Sequence, residues 1–191
     1  MRGVKRERII RVLLGSPGGD LTKYRVAKLS GTSIAWTMEY LKSIEEAKLV
    51  KATRVVSKEK LLDLWFSISR APKHFDFFVQ SPGEFLSGAG LEYALTTYAA
   101  ENLLNHYLFP TRTDLYIREA DLPLWKERMK GNALAGKGNL RLLVYDEHAM
   151  FGKKNIGGMW VASVPQVLID LRREGGVCLE AYEMMVEKYV R

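Results

Sequence analysis

The sequence predicts an α+β chain of 191 residues in two parts, a small basic helical module followed by a larger mixed α/β domain. Three observations predict it. Residues 1–56 read as helix, short helix, glycine turn, helix and basic strand. Positive charge is confined to the same part of the chain: residues 1–60 hold 14 Lys/Arg against 6 Asp/Glu, a net +8, whereas residues 61–191 hold 15 against 16, a net −1. Beyond residue 80, strand-like and helix-like segments alternate over about 110 residues.

In the basic module, residues 5–14 read as a helix. Ile9, Ile10, Val12, Leu13 and Leu14 form its apolar face, and Arg6, Glu7, Arg8 and Arg11 lie opposite. Ser16-Pro17-Gly18-Gly19 breaks it. Asp20 or Thr22 can cap a second helix ending near Leu29, and Ser30-Gly31-Thr32 is a tight turn. Thr32 or Ser33 caps a third helix running to Lys48, with Ile34, Met38, Leu41, Ile44 and Ala47 expected on its inner face. A short turn containing Gly31 between two helices is what a helix-turn-helix requires. The strand-like residues 49–56, carrying Lys51 and Arg54, supply a wing. Residues 1–56 are therefore expected to be a winged helix-turn-helix.

Residues 57–80 read as a connector. Ser57 caps a helix over residues 58–69, and a Phe-rich strand follows over residues 74–80. Residues 81–191 form the α/β domain. Its expected strands are 113–118, 139–145 and 158–162, and a strand end passes into a helix over residues 93–105. Helices are expected over 121–130, over 163–171 and from 177 to the C-terminus, with a loop at 131–138.

A basic module on a near-neutral body suits a polyanionic partner, because phosphate neutralisation supplies most non-specific affinity for nucleic acid. In a helix-turn-helix the start of the second motif helix faces base edges. The residues expected to point outward there are Ser33, Ala35, Trp36, Thr37 and Tyr40, with no Lys or Arg for a bidentate guanine contact. Lys23, Arg25 and Lys28 on the second helix, Lys42, and Lys51 and Arg54 on the wing are placed for phosphates. The predicted DNA-contacting set is thus Lys23, Arg25, Lys28, Ser33, Trp36, Thr37, Tyr40, Lys51 and Arg54.

No catalytic constellation is predicted. Residues 131–138, Gly-Asn-Ala-Leu-Ala-Gly-Lys-Gly, approach a phosphate loop, but Gly138 replaces the magnesium-binding Ser/Thr and the flanking elements are in the wrong order. Asp146-Glu147-His148 at a strand end reads as a solvated loop. His74, His106, His148 and the single Cys178 show no metal-ligand spacing. Asp114 lacks the second carboxylate that nucleotidyl transfer uses to hold magnesium. No enzyme activity, cofactor or metal is expected. One cysteine excludes an intrachain disulfide, no apolar run reaches membrane-spanning length, and the basic start is not followed by a signal-peptide core, so a cytoplasmic protein with no membrane association is expected. Only five Asn and two Gln hint at a hot habitat.

The order of features resembles the AbiEi-like antitoxins of type IV abortive-infection toxin–antitoxin systems. The likeness is carried by the Leu61-Leu62-x-x-Trp65 helix, by Tyr93-Ala94-Leu95-Thr96-Thr97-Tyr98-Ala99-Ala100, by Thr113-Asp114-Leu115-Tyr116-Ile117, and by Val161-Ala162-Ser163-Val164-Pro165-Gln166-Val167-Leu168-Ile169-Asp170-Leu171. The family pattern has Ser-Pro directly together; here Val164 separates Ser163 from Pro165. The resemblance implies a transcriptional regulator whose winged helix binds double-stranded DNA repeats and represses its own operon. It also implies a larger domain that helps to counteract a nucleotidyltransferase toxin. Gln166 and Asp170 are expected to face solvent while Val167, Leu168 and Leu171 pack.

Two other readings remain open in the residues. One is a winged-helix transcription factor whose α/β domain senses a small ligand or forms a homodimer. The other is a nucleotide-processing enzyme that the winged helix delivers to nucleic acid; it needs Asp114, Asp146 and Glu147 to converge.

Overall fold

The structure, a computed structural model, describes residues 2–190 and is a mixed α/β protein. It divides into two compact units. Among the described residues the first comprises 2–70 together with 186–190, and the second 71–185.

In the first unit, helices α1 (Arg2–Gly15), α2 (Lys23–Ser30) and α3 (Ile34–Glu46) are followed by strands β1 (Val50–Lys51) and β2 (Arg54–Val55) and helix α4 (Lys58–Ile68). The caps follow the sequence chemistry. Thr22, Ser33 and Ser57 accept backbone N–H groups at the starts of α2, α3 and α4. Gly31 closes α2 in the left-handed conformation.

Helix α1 is more buried than its pattern suggested. Ile9, Ile10, Val12 and Leu13 are enclosed, and so are Glu7 and Arg11 from the expected polar face. Trp65 of α4 explains this. Its indole N–H donates to Glu7 Oε2 at 3.2 Å, and the Arg11 guanidinium lies 4.8 Å from the centre of its ring. Residues 58–68, expected in a connector, therefore help to build the core of this unit.

The segment 49–56 is a hairpin rather than one strand, with Val50 opposite Val55 and Lys51 opposite Arg54. Ala52 turns the chain with φ of 56°, and its N–H donates to Glu45 Oε1 of α3 at 2.7 Å. On its other side the hairpin is tied to the α1–α2 loop. Val55 N–H donates to Pro17 O at 3.0 Å, and the Thr53 hydroxyl donates to Leu21 O at 2.6 Å. The approach is so close that a Cβ on Gly19, which has φ of 86°, would sit 2.7 Å from Arg54 Cβ.

The second unit is built on a seven-stranded mixed sheet. In chain order its elements are β3 (Lys73–Val79), α5 (Pro82–Ser87), β4 (Ala94–Thr96), α6 (Thr97–Asn105), β5 (Thr113–Ile117), α7 (Leu122–Met129), β6 (Ala133–Ala135), β7 (Leu140–Val144), β8 (Lys154–Ile156), β9 (Met159–Val161), α8 (Val164–Glu174) and α9 (Val177–Tyr189), whose last residues belong to the first unit. The strand order is β6-β3-β7-β5-β4-β9-β8, with β5–β7 and β4–β9 parallel and the other pairs antiparallel. Leu115, Ile117, Leu142, Val161, Val167 and Leu168 form its buried centre.

Two short edge strands were not expected. Strand β8 pairs with β9, and β6 lies inside the segment read as a loop, pairing with β3. At Gly138, where a phosphate loop carries its hydroxyl residue, a Cβ would fall 2.1 Å from Phe77 O, so only glycine fits that approach.

Candidate nucleic-acid interface and a buried polar cluster

In the first unit the cations expected to meet phosphates are accessible. Arg25, Lys28, Lys42, Lys51 and Arg54 are exposed, and Lys23 is half-buried. The Thr53–Leu21 hydrogen bond holds the hairpin cations beside the start of α2, where Lys23 and Arg25 stand.

Helix α3 is rotated relative to its expected orientation. Ser33 is exposed and accepts the Trp36 N–H at 3.4 Å; Ala35 is exposed and Trp36 half-buried. Thr37 and Tyr40, expected to face outward, are 0% and 6% exposed. Ile34 and Met38, expected inside, are 42% and 50% exposed, and Ala47 is exposed too. The buried stripe is Thr37, Tyr40, Leu41 and Ile44.

A chain of hydroxyls accounts for the rotation. Ser30 Oγ donates to Val26 O at 2.7 Å and shares a hydrogen bond with Thr32 Oγ1 at 2.8 Å. Thr32 Oγ1 also lies 2.6 Å from Thr37 Oγ1, and Thr37 donates to Ser33 O at 2.9 Å, so the single Thr32 proton serves the two neighbouring hydroxyls in turn. A threonine whose hydroxyl closes the turn can be buried without leaving a polar group unpaired.

Tyr40 goes inside with its ring against the edge of Trp36 and 5.6 Å from the Arg6 guanidinium. Burial pushes its phenol up to about 12 against the opposing pull of Arg6. Its hydroxyl finds no hydrogen-bond partner among the described residues. Arg6, Trp36, Glu39, Tyr40 and Ser43 line a cavity of about 270 Å³. Ser33, Ile34, Ala35, Met38, Glu39 and Lys42 are accessible along the first half of α3 and its cap, and Ser43 and Glu46 follow toward its end. A helical wheel turned so that Thr37 points inward would have found Ile34, Met38 and Glu39.

In the second unit, Gln166 and Asp170 are buried rather than solvated. Asp170 accepts from Thr96 Oγ1 at 2.7 Å, Tyr116 OH at 2.8 Å, Gln166 Nε2 at 3.1 Å and Arg173 at 2.7 Å. Burial raises its carboxyl above the ordinary value; Arg173 and the three hydrogen bonds act in the opposite direction.

The next residue along the chain serves a second carboxylate. Thr97 donates to buried Asp114, which also takes two bonds from Arg112, at 2.6 and 2.9 Å. Thr97 holds φ of 47°, a left-handed conformation rare for a β-branched residue. Arg112 continues to Glu174 at 2.8 Å, and Arg141 bonds Asp76 at 2.6 Å. Thr97, Asp114, Arg141, Asp170, Arg173 and Glu174 line a cavity of about 130 Å³, and each acid of the cluster, Asp76, Asp114, Asp170 and Glu174, pairs with an arginine.

That alternation neutralises carboxylates rather than leaving them open to a cation. Among the described residues no group of three His, Cys, Asp or Glu could hold a metal ion. Asp114, Asp146 and Glu147 do not converge. Asp114 stands in register with Arg141, five residues before Asp146 on the neighbouring strand. At about 3.3 Å per residue, that is a separation of roughly 16 Å along the sheet. Asp146 and Glu147 lead into a 3-10 turn, Glu147–Met150, where His148 stacks on Phe151.

No helix among the described residues is long and apolar enough to cross a membrane. Comparisons with protein-family models, with curated proteins and with solved structures give no match to this chain.

Proposed function

We propose that residues 1–56 are a winged helix-turn-helix that binds double-stranded DNA, and that the chain is a cytoplasmic transcriptional regulator of the antitoxin type. The observation that carries this reading is the tethered hairpin. A two-stranded turn bearing Lys51 and Arg54 is bonded on one side to the α1–α2 loop and on the other to α3, beside a helix bearing Lys23, Arg25 and Lys28. A hairpin held in this way supports the reading of a wing beside a helix-turn-helix, whose cations would contact phosphates.

Exposed acids on α3 sharpen the division of labour. Glu39 and Glu46 accompany Lys42 there, so phosphate affinity falls to α2 and the hairpin. By the resemblance to AbiEi-like antitoxins, the second unit supports neutralisation of a nucleotidyltransferase toxin, and the DNA target is the chain's own operator. The test is footprinting of the full chain on the DNA upstream of its gene. The expected result is a protected repeat lost on raising salt; no protection at low salt overturns the reading.

A further inference from the structure

Helix α3 exposes an apolar strip at the end that a helix-turn-helix directs toward the major groove. Ile34 and Met38 lie one turn apart on the same side of the helix, both accessible, and Ala35 is exposed next to Ile34. No Lys, Arg, Asn or Gln occurs between Leu29 and Leu41, so the first two turns of α3 have none of the side chains that grip guanine or adenine bidentately; Lys42 follows one turn beyond Met38 and stands 3.9 Å from Glu46. The exposed charged group that follows is Glu39, an acceptor only.

These features match base chemistry in a definite way. A thymine presents a methyl group to the major groove, cytosine and adenine present an amino donor, and guanine presents two acceptors. We infer that α3 reads A·T-rich duplex through thymine methyls packed on Ile34, Ala35 and Met38, with Glu39 beside them able to accept from a base amino group.

The inference rests on the DNA-binding reading and specifies what that site prefers. The cations of α2 and the hairpin favour a polyanion over a second copy of this chain.

The test uses the full chain and short duplexes of alternating dA-dT, the same sequence with dU in place of dT, and alternating dG-dC, read by fluorescence anisotropy at low salt. Sedimentation without DNA accompanies it. The expected result is tighter binding to dA-dT than to dA-dU or dG-dC, with a loss of about three- to four-fold for each contacted methyl removed. Met38→Ala should shrink the dT–dU difference while keeping affinity for dA-dU. Equal affinity for dA-dT and dA-dU overturns the inference and leaves DNA binding standing. A dimer without DNA that Met38→Glu dissolves also overturns it. Failure to bind any of the three duplexes removes the DNA-binding reading itself.

Discussion

The hydroxyls of Thr32 and Thr37 lie 2.6 Å apart, joining the turn after α2 to the inner side of α3. That bond decides which way the helix faces. It turns Thr37 and Tyr40 into the core and Ile34 and Met38 toward solvent.

Thr37→Val keeps the shape and removes the hydroxyl, leaving Thr32 short of a partner. The expected cost is about 1–2 kcal/mol of stability, measured by urea denaturation. If the chain binds DNA as proposed, base preference should stay unchanged, because Thr37 is buried. A variant of full stability with altered base preference would contradict this orientation of α3.

Trp65 joins α4 to α1 by donating to buried Glu7 while its ring lies beside the Arg11 guanidinium. Trp65→Phe removes the N–H and part of the ring. It should cost about 1–3 kcal/mol, seen as a lower midpoint in chemical denaturation. A variant as stable as the parent would mean that the Glu7 contact adds nothing.

Much of this architecture was legible in the sequence. Thr22, Ser33 and Ser57 stand where helices need a hydroxyl cap, and Gly31 stands where α2 must stop. The rotation of α3 was not legible, because Thr37 counts as polar in any periodicity and its buried partners lie across a turn. The same blindness applied to Gln166 and Asp170. Their partners Thr96 and Tyr116 come from strands 50 to 74 residues away, so no local pattern announces the cluster. Strands β6 and β8, three residues each, are too short for alternation to show, and β6 forms because it finds an edge in β3.

Asp170 gives a pH signature. Its folded carboxyl titrates above the ordinary 3.8, with burial the main cause. The folded state therefore binds this proton more tightly than the unfolded chain. This group adds stability as pH falls through its raised folded value toward 3.8, and that gain is lost again as pH rises. Asp170→Asn cannot titrate. The parent should gain stability relative to the variant as pH is lowered through this window, measured by urea unfolding at several pH values. A parent that loses stability relative to the variant on acidification would show that Arg173 and the three hydrogen-bond donors outweigh burial.

Gly19→Ala places a methyl group 2.7 Å from Arg54 Cβ at a φ of 86°. The hairpin must move or the loop must strain, at about 1–3 kcal/mol. The variant should lose stability and DNA affinity together. Loss of neither would mean that the hairpin is free of the α1–α2 loop.

The most direct test of a DNA-gripping hairpin is the salt dependence of duplex binding by the full chain and by its Lys51→Ala/Arg54→Ala variant. Each phosphate neutralised contributes a slope of about −0.9 in log affinity against log salt. The parent should show a steep negative slope, and the variant a slope shallower by about two such contributions, with affinity lowered evenly across sequences. Identical slopes for the two proteins, or a parent affinity indifferent to salt, would contradict the account.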